Sequence, residues 1–560
     1  MPRLWIQECS FSDGTRVTFG KSDIILIVGP NNSGKSATLR AIRDKLAKNE
    51  VNPVVSAISF VREGNAEEVI SWLDTFAHKR APFSTNPTFQ AFGISVQKSI
   101  VPHRWIDPNS VYELGRFFCH LLTADERLQA ANPPNNINML ADPCTHPIHF
   151  LYRDDRLEKQ LSTKFHKAFG EELILNRSAG NILPLHVGLC PNPGQGQDRI
   201  SFEYISALEK LPLLHTQGDG MRSFTGVLLH TLVGRESILM IDEPEAFLHP
   251  PQARQLGRIL VEDKPDERQL FVATHSGDIL RGVLDAGSSK VRVVRIRRNG
   301  NVNHVRQLDN TKIAELWNDP LLRYSNILDG LFHEKVIVCE GDADARFYSA
   351  VADSIIDPQD ENARRPDVMF VHCGGKDRIP LVVRALREVD VPVSIAVDFD
   401  VLSSEQPLKD IVESAGGDWN TVATDWGQVN NAINSKKPEL SSDEVINDVK
   451  KVLEAIKDPI FPTSAKREIG KIFRRASPWA TAKSSGITFV PSGDPINIFK
   501  KLLNSLKGYG VHIVEVGEVE SFVRSVGNHG PKWVNEALKK DLRSDPELEP
   551  ARKFVSELLA

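Results

Sequence analysis

The sequence has no long hydrophobic run and no paired cysteines, and both absences narrow the class of protein. Its longest apolar runs, such as IILIV at residues 24–28, have the length of a strand and not of a membrane-spanning helix. The N-terminus, MPRLWIQECSF, lacks the apolar core of a signal peptide. The six cysteines are scattered without a CxxC pair, which argues against a disulfide framework or a zinc site. We therefore expect a soluble, cytoplasmic protein with reduced thiols.

The chain also lacks a strong charge of either sign. Its formal net charge is −5 over 560 residues, so it offers no broad basic surface. Any binding of nucleic acid must then come from local basic patches. A chain of 560 residues exceeds what one hydrophobic core supports, and we expect two or three domains.

A phosphate-binding loop follows the first buried strand. GPNNSGKS at residues 29–36 fits G-x-x-x-x-G-K-[ST] in full and precedes a helical stretch. In such a loop backbone N–H groups surround phosphate oxygens, Lys35 reaches the β- and γ-phosphates, and Ser36 ligates Mg²⁺. The residues predicted to bind ATP here are Gly29, Asn31, Asn32, Ser33, Gly34, Lys35 and Ser36.

Two later strands supply the second half of a nucleotide site. The strand in ILMIDEPEAFLHP, residues 238–250, ends at Asp242, which can hold Mg²⁺ through water. Glu243 is placed to polarise the attacking water. His275 ends the next strand, in LFVATHS at residues 270–276, where it could contact the γ-phosphate. These motifs resemble those of the ABC-type ATPases, including the SMC and RecF-like branch.

The ABC resemblance implies that the nucleotide is sandwiched between two ATPase heads, each giving a signature loop to its partner. The candidate signature segment is QGDGMRS at residues 217–223, with Gly220 as its binding residue. It departs from the usual LSGGQ, and a plain glycine turn is the alternative interpretation.

Acidic residues end two further strands, VIVCEGDAD at residues 336–344 and IAVDFD at residues 395–400. Buried strands of a parallel sheet deliver such side chains to one edge. Hard divalent cations prefer oxygen ligands, so a carboxylate cluster at this edge predicts a metal site for phosphodiester cleavage. The five acids are Glu340, Asp342, Asp344, Asp398 and Asp400.

These strands, with the CGGK turn at residues 373–376 between them, resemble the Toprim domain of topoisomerases, primases and OLD-family nucleases. An ABC ATPase followed by a Toprim domain resembles the OLD family nearly end to end. The resemblance implies two metal ions about 3.5–4 Å apart. The residues it implies are Glu340, Asp398 and Asp400 as ligands and catalytic groups, Asp344, Glu518 and Glu520 as further ligands, and Lys532 as the lysine that stabilises the transition-state phosphate. Asp342 is then a loop or cap residue, and Glu405 is either a further ligand or a solvated surface residue.

The predicted fold class is α/β in two domains. An ABC-type P-loop ATPase domain spans 1–325, with a helical or dimerisation insertion roughly within 60–200. A Toprim domain with a parallel sheet spans 331–545, with a helical insertion at about 402–508. The topology of 51–200 is not predicted.

The OLD resemblance implies an ATP-binding and ATP-hydrolysing DNA endonuclease or nickase that uses Mg²⁺ or Mn²⁺, forms a dimer or tetramer, and serves in prokaryotic anti-phage defence. A partner, such as a retron reverse transcriptase with its msDNA or a helicase-like protein, is also implied. Two alternatives stay open: an SMC- or RecF-like clamp without nuclease activity, and a switch in which ATP binding without turnover restrains the nuclease. The candidate DNA-binding patch, or simply a solvated helix face, consists of Lys466, Arg467, Lys471, Phe473, Arg474, Arg475, Trp479 and Lys483.

Overall fold

The computed structural model divides into two compact units, residues 1–319 and residues 320–560. The division falls close to the predicted boundary, whose exact limits stay a prediction. The structure describes residues 2–48, 52–80, 84–91, 94–193, 198–300, 302–323, 326–356, 365–436, 440–457, 460–475, 477–527 and 529–560.

The first unit is built on a six-stranded sheet with three smaller sheets beside it. The strands of this unit are β1 Arg3–Phe11, β2 Arg16–Thr18, β3 Ile24–Val28, β4 Val55–Glu63, β5 His78–Arg80, β6 Thr88–Ala91, β7 Ile94–Gln97, β8 Cys119–Leu122, β9 Glu172–Leu175, β10 Leu185–Gly188, β11 Ile238–Asp242, β12 Gln269–Ala273, β13 Val291–Asn299 and β14 Val302–Gln307. The large sheet has the order β14-β13-β3-β12-β11-β8. All neighbours in it are parallel except β13 and β14, which form an antiparallel hairpin.

The centre of this sheet is buried on both faces, which explains its apolar sequence. Every residue of β3 and β12 is buried, as is typical of a parallel strand covered by helices on both sides. Because β3, β12 and β11 are adjacent and parallel, their carboxyl ends meet at one edge. The residues that follow these three strands are therefore brought together.

Helices cover the sheet and extend the first unit. They are α1 Lys35–Lys48, α2 Ala66–Leu73, α3 Val101–Ile106, α4 Gly115–Phe118, α5 Ala124–Ala130, α6 Pro147–Arg153, α7 Asp155–Phe169, α8 Phe202–Leu208, α9 Asp219–Val233, α10 Pro250–Glu262, α11 Gly277–Asp285 and α12 Asn310–Asn318. The small sheets have the orders β2-β1-β4, β5-β6-β7 and β10-β9. The chain turns at Asp13-Gly14 to form a hairpin, since β1 pairs with β2 in antiparallel register.

The second unit is a four-stranded parallel sheet with covering helices. Its strands are β15 Lys335–Cys339, β16 Val368–His372, β17 Val393–Val397 and β18 Val511–Ile513, in the order β16-β15-β17-β18. Its helices are α13 Pro320–Arg323, α14 Asp342–Ile355, α15 Ile379–Glu388, α16 Glu405–Ser414, α17 Ala423–Asn434, α18 Ser442–Glu454, α19 Thr463–Arg475, α20 Pro478–Ser485, α21 Asp494–Gly508, α22 Pro531–Ala537 and α23 Glu549–Leu559. Helices α16 to α21 lie in the chain between β17 and β18, where the sequence predicts a helical insertion.

The predicted α/β class is confirmed, because both units have parallel sheets covered by helices. Among the described residues, no helix is long and apolar enough to cross a membrane.

Candidate nucleotide and metal sites

The loop between β3 and α1 approaches its neighbours so closely that it requires glycine at two positions. Gly29 has a φ of 147°, and a Cβ there would collide with the carbonyl oxygen of Ile296 on β13. Gly34 has a φ of 101°, and a Cβ there would lie 2.7 Å from the side-chain nitrogen of Asn303 on β14. The hairpin β13–β14 therefore supports the outside of the loop.

The same loop suits a phosphate group. The Ser33 hydroxyl oxygen is buried without a hydrogen-bond partner among the described residues. Asn31 and Asn32 are exposed, and Asn32 has a φ of 60°. Lys35, the first residue of α1, donates from Nζ to the carbonyl oxygen of Gly29 at 2.9 Å. An orphaned buried hydroxyl, a lysine and a helix N-terminus together fit a nucleotide phosphate.

The two predicted magnesium ligands of the ATPase touch each other. The hydroxyl of Ser36 donates to Oδ1 of Asp242 at 2.8 Å. Burial raises the pKa of Asp242, an effect partly offset by the hydrogen bond from Ser36. A divalent cation beside this carboxylate would stabilise its charged form, so the pair fits Mg²⁺.

Glu243 and His275 lie together, and a third residue that sequence analysis missed holds them. His275 Nδ1 is 3.4 Å from Oε1 of Glu243 and 3.2 Å from Oε1 of Glu245. The buried Glu245 carboxylate also accepts hydrogen bonds from the Thr274 hydroxyl at 2.8 Å and from the His275 backbone N–H at 2.9 Å. Glu245 thus fixes the imidazole next to Glu243. The only feature of the sequence that could have indicated Glu245 is its position two residues after Glu243.

The candidate signature segment leads into helix α9, which begins at Asp219. A Cβ at Gly220 would lie 2.7 Å from the carbonyl oxygen of Phe247, in the loop after Asp242. The segment therefore packs against the loop that carries the acidic pair. The structure describes one chain, and Gly220 as a nucleotide contact stays a prediction.

In the second unit, the ends of β15 and β17 bring three carboxylates together. Glu340 follows β15, Asp398 follows β17, and these strands are parallel neighbours. One ligand oxygen from each of Glu340, Asp398 and Asp400 lies within 4.8 Å of the others. Oε1 of Glu340 accepts a hydrogen bond from the backbone N–H of Asp398 at 3.0 Å. We name these three residues the strand-end cluster.

The electrostatics of the strand-end cluster favour a cation. Burial, with the charges of Asp398 and Asp400, raises the pKa of Glu340 to about 7. Burial also raises the pKa of Asp398. Oδ1 of Asp400 is buried without a hydrogen-bond partner among the described residues. An all-oxygen donor set with an orphaned carboxylate oxygen fits a hard divalent metal ion.

A second group of possible ligands follows β18, and we name it the loop cluster. Ligand atoms of Glu518, Glu520 and His529 lie within 4.8 Å of one another. Burial and the neighbouring charge of Glu520 raise the pKa of Glu518. Glu520 is oriented by a hydrogen bond from the Gly530 backbone N–H at 2.8 Å. The sequence predicted both glutamates; His529, which lies in a loop well after the end of β18, was missed.

The amine of Lys483 lies between the two clusters. Its Nζ is 3.0 Å from Oδ2 of Asp398, 3.6 Å from Oδ1 of Asp400 and 3.9 Å from Oε2 of Glu518. The carboxylates raise the pKa of Lys483 above its usual range, against the effect of its burial. The prediction that Lys483 belongs to a DNA-binding patch is therefore corrected. The helix α20 points this lysine into the carboxylates.

Trp479 does not belong to the predicted DNA-binding patch either, because it is a core residue. Its side chain is buried, its Nε1 donates to Oδ1 of Asn434 at 2.8 Å, and its ring centroid lies 6.4 Å from that of Phe399. It therefore cannot stack on a base at the surface.

Two glycines fix the backbone around Lys483. Gly486 has a φ of 58° and a Cβ there would collide with the carbonyl oxygen of Glu515. Gly517 has a φ of 121° and a Cβ there would collide with the carbonyl oxygen of Lys483. The carbonyl of Gly517 accepts a hydrogen bond from the backbone N–H of Phe399 at 2.8 Å. This glycine crossing joins the segments that carry Lys483, Asp398 and Glu518.

Lys532 is exposed at the second residue of α22, and its described contacts include no ion pair with a carboxylate of either cluster. A second lysine at the site is Lys376 of the CGGK turn, whose Nζ is 3.3 Å from Oδ2 of Asp400. The catalytic role of Lys532 stays a prediction.

The remaining acids have mainly structural contacts. Asp344 accepts from the backbone N–H of Gly341 at 2.9 Å as part of a helix cap. It lies outside both clusters, although burial and the charge of Asp398 raise its pKa to about 7. Asp342 forms an ion pair with Arg346 at 2.9 Å, as a residue of the first helical turn. Glu405 accepts from Trp419 Nε1 at 3.2 Å and is also outside the clusters.

The fold and the two sites define a P-loop ATPase joined to a Toprim domain, and comparison with known families gives the same division. Residues 84–281 match the model described as "AAA domain, putative AbiEii toxin, Type IV TA system". Residues 331–400 match the model described as "Overcoming lysogenization defect protein-like, TOPRIM domain". The second match contains the whole strand-end cluster. The chain thus matches an ATPase model and an OLD-like Toprim model in the order predicted from the sequence.

Curated relatives cover part of the chain. An OLD nuclease from Thermus scotoductus is 30% identical over 174 residues, which are 29% of this chain and 31% of that protein. The Old nuclease of Escherichia phage P2 is 23% identical over 174 residues, 30% of this chain and 28% of that protein. The match thus spans about a third of the length of these relatives. An uncharacterized protein of Methanocaldococcus jannaschii is 30% identical over 87 residues, 76% of its length.

Among solved structures, an Smc head bound to the C-terminal winged-helix domain of ScpA is similar to 56% of this chain, with 14% identity and a TM-score of 0.35, and the match covers 99% of that head. The SMC head domain from Thermotoga maritima has a TM-score of 0.28 at 12% identity, covering 55% of this chain and 98% of that one. At these TM-scores the similarity adds nothing to the description of the sites.

Proposed function

We propose that the protein is an ATP-binding and ATP-hydrolysing, divalent-metal-dependent DNA endonuclease or nickase. The observation that carries the proposal is the convergence of Glu340, Asp398 and Asp400 with the ammonium of Lys483 at one sheet edge. Three half-buried carboxylates and one lysine would supply metal ligands and a cation for a phosphate. The matches to OLD nucleases support the same reaction class.

Mg²⁺ or Mn²⁺ would be held by the strand-end cluster, and a second ion by the loop cluster with Glu518 and Glu520. When bound, the ions supply an activated water and neutralise charge on the leaving oxygen. Asp344 would serve as a further metal ligand beside Glu340. We assign the phosphate-stabilising role to Lys483 in place of Lys532, since Lys483 contacts both clusters.

In the ATPase unit, Ser36 and Asp242 would hold Mg²⁺, and Glu243 would polarise the attacking water. His275 is held beside Glu243 by Glu245, in reach of a γ-phosphate. We propose that two chains pair through Gly220 of the signature segment, which gives a dimer or a higher oligomer such as a tetramer. Mass measurement with and without an ATP analogue tests this pairing; an unchanged mass contradicts it.

Cleavage of supercoiled plasmid tests the nuclease. Wild-type protein with Mg²⁺ or Mn²⁺ should nick or linearise the plasmid, and Glu340→Gln and Asp398→Ala should not. Both variants should keep ATP hydrolysis, whereas Glu243→Gln should abolish hydrolysis and leave the Toprim site intact. If both Toprim variants cleave like wild type, the strand-end cluster is not the active site. If no chain cleaves under any condition, an ATPase clamp without nuclease activity is the better account.

The Glu243→Gln variant also decides what ATP does. If it traps ATP and leaves cleavage and its nucleotide response intact, binding of ATP regulates the nuclease without turnover. If its cleavage no longer responds to ATP, turnover is required.

We propose that DNA lies against α19. Lys466, Arg467, Lys471 and Arg475 are exposed on this helix. Phe473 is 57% exposed between them, so its ring is available for stacking on a base. The side chain of Arg474 lies outside the described part of the chain.

Charge reversal of Lys466, Lys471 and Arg475 to Glu tests this surface. DNA affinity should fall and its dependence on salt should weaken, because phosphate contacts release counterions. Lys539→Glu, at an exposed lysine in the turn after α22 of the same unit, is the control. Equal DNA binding by the reversed and control proteins would remove α19 from the proposal.

The biological role we propose is anti-phage defence with a partner, such as a retron reverse transcriptase with its msDNA or a helicase-like protein. Its support is the OLD-family arrangement alone. Purification of the tagged chain from its native cells, followed by mass analysis of proteins and nucleic acid, tests it. Recovery of the chain without any partner would contradict this role.

A further inference from the structure

One buried arginine of the first unit bonds to two parts of the ATPase site and has no place in the motifs described above. Arg127, on the short helix α5, has no exposed surface. Its Nε donates to the Ser223 hydroxyl at 3.0 Å, its Nη1 to the carbonyl oxygen of Asp242 at 2.6 Å, and its Nη2 to the carbonyl oxygen of Glu243 at 3.0 Å. All three donor nitrogens of the planar guanidinium are used.

The partners of Arg127 belong to different elements. Ser223 lies on α9 in the candidate signature segment, whereas Asp242 and Glu243 carry the magnesium-binding and water-polarising carboxylates at the end of β11. Arg127 therefore links two parts of the proposed site. One is helix α9, which would contact the nucleotide of the partner head, and the other is the acidic pair of its own head. It approaches the acidic pair through backbone carbonyls and leaves the carboxylates free for their ligands.

The backbone of Arg127 cannot shift independently of α9. A Cβ at Gly226 on α9 would lie 2.8 Å from the Arg127 Cα and would collide with its carbonyl oxygen, so the two helices touch along their main chains. The start of α5 is fixed by a capping box between Thr123 and Glu126. A movement of α9 must then carry the guanidinium with it.

Glu243 has a backbone conformation that depends on such support. Its φ is 49°, in the left-handed region that a non-glycine residue adopts at a cost of about 1–3 kcal/mol. Its N–H donates to the carbonyl oxygen of Ala273 at 2.8 Å, and its carbonyl accepts from Arg127. Both ends of this strained residue are therefore tied, and the bond from Arg127 is the one that leads to α9.

We propose that Arg127 is a positioning residue for ATP hydrolysis, which transmits the position of the signature helix to the backbone of Asp242 and Glu243. The inference rests on the proposed ATPase function. It does not require Arg127 to touch the nucleotide. Arginine is needed because one ammonium cannot reproduce three bonds in a planar fork.

The test is a double-mutant cycle on steady-state ATP hydrolysis by the full chain. Arg127→Lys keeps the charge and loses the fork, and kcat should fall about ten- to hundredfold while nucleotide affinity stays within about twofold. Ser223→Ala removes only the bond to α9 and should also lower kcat. If Arg127 transmits the effect of Ser223, Ser223→Ala should change nothing further in the Arg127→Lys background.

Controls separate positioning from folding and from the proposed function. Arg116→Lys, an exposed arginine on the nearby helix α4, should hydrolyse ATP like wild type. If Arg127→Lys does not fold, Ser223→Ala still tests the link through its kcat and KM. Additive effects in the cycle, a wild-type kcat in Arg127→Lys, or losses of nucleotide affinity that match the loss of kcat would each overturn the inference. Wild-type protein that hydrolyses no ATP would overturn the proposed ATPase as well, whereas hydrolysis that only Glu243→Gln abolishes overturns the inference alone.

Discussion

The buried carboxylate of Glu158 in the first unit and the carboxylates of the Toprim site are neutralised in different ways. In the first unit the side chain of Glu158 is buried, with 4% of the residue exposed. Its carboxylate accepts hydrogen bonds from Nη1 and Nη2 of Arg199 at 3.2 and 2.8 Å, and it also forms an ion pair with Arg177. The backbone N–H of Leu175 donates to it at 3.1 Å. One carboxylate thus has two guanidinium groups and an amide.

In the Toprim site the carboxylates outnumber the cationic side chains. Among the five carboxylates of the two clusters, Asp398, Asp400 and Glu518 have ion pairs with Lys483, and Asp400 has a second one with Lys376. Glu340, Asp398 and Glu518 all have raised pKa values, chiefly because they are buried. A saturated buried carboxylate stabilises a fold, whereas several that share one cation form a site for further positive charge.

The largest expected effect is on Lys483. Lys483→Met should lower the rate of DNA cleavage about 10²- to 10³-fold at saturating metal, because one cation for the reacting phosphate is lost. Single-turnover cleavage measures the rate, and calorimetric titration with Mn²⁺ should show metal affinity equal to or above that of wild type. Lys532→Met is the matched control and should cleave normally. The reverse result, with Lys532 essential and Lys483 dispensable, would restore the role predicted from the sequence.

Substitution of Glu158 should change the stability of the protein and not its rate of cleavage. Glu158→Gln removes the charge of a buried carboxylate that pairs with the half-buried Arg177 and the exposed Arg199, and should lower the free energy of unfolding of the first unit by about 2 kcal/mol. Denaturant unfolding measures this change, while cleavage per folded molecule should stay at the wild-type level. Glu203→Gln, an exposed glutamate on α8, should change neither quantity. A Glu158→Gln protein with the stability of wild type and impaired cleavage would contradict this prediction.

The smallest effect is a pH dependence of stability. The pKa of Glu340 is raised from 4.5 to about 7, so between these values the unfolded chain loses this proton while the folded chain keeps it. The free energy of unfolding of the metal-free protein should therefore fall as pH rises through this window. Glu340→Gln, which stays neutral, should then be more stable than wild type by about 1–2 kcal/mol near pH 8 and equal to it near pH 4.

Thermal unfolding in a chelator at both pH values measures the difference. Glu536→Gln, an exposed glutamate on α22, should show no pH-dependent gain. A Glu340→Gln protein that is less stable than wild type near pH 8 would mean that this carboxylate is satisfied, like Glu158.

The strands that carry the acids could be predicted because their signal is local. A buried parallel strand is a continuous apolar run, and in β11, β15 and β17 an acid follows it directly. The P-loop has the same property after β3. Sequence alone therefore indicated Asp242, Glu340 and Asp398 and the parallel sheets that hold them.

Lys483 could not be predicted in this way, because its contact with Asp398 spans 85 residues. Its helix has the ordinary polar composition of an insertion, and Lys532 lies nearer in sequence to the glutamates of the loop cluster. The place of β8 in the large sheet could not be predicted for a similar reason. Its four residues join the edge of the large sheet beside β11, more than a hundred positions later. Long-range pairings of short strands leave little pattern in a sequence.

The glycine crossing has a consequence for how the second unit can change during evolution. It is made of main-chain atoms at Gly486 and Gly517, so it is indifferent to the side chains of the outer helices α18 and α19. Those helices can diverge in sequence without moving the ammonium of Lys483. Alanine at either glycine would displace it. Under the proposed function, DNA preference and cleavage chemistry can thus be inherited as separate traits.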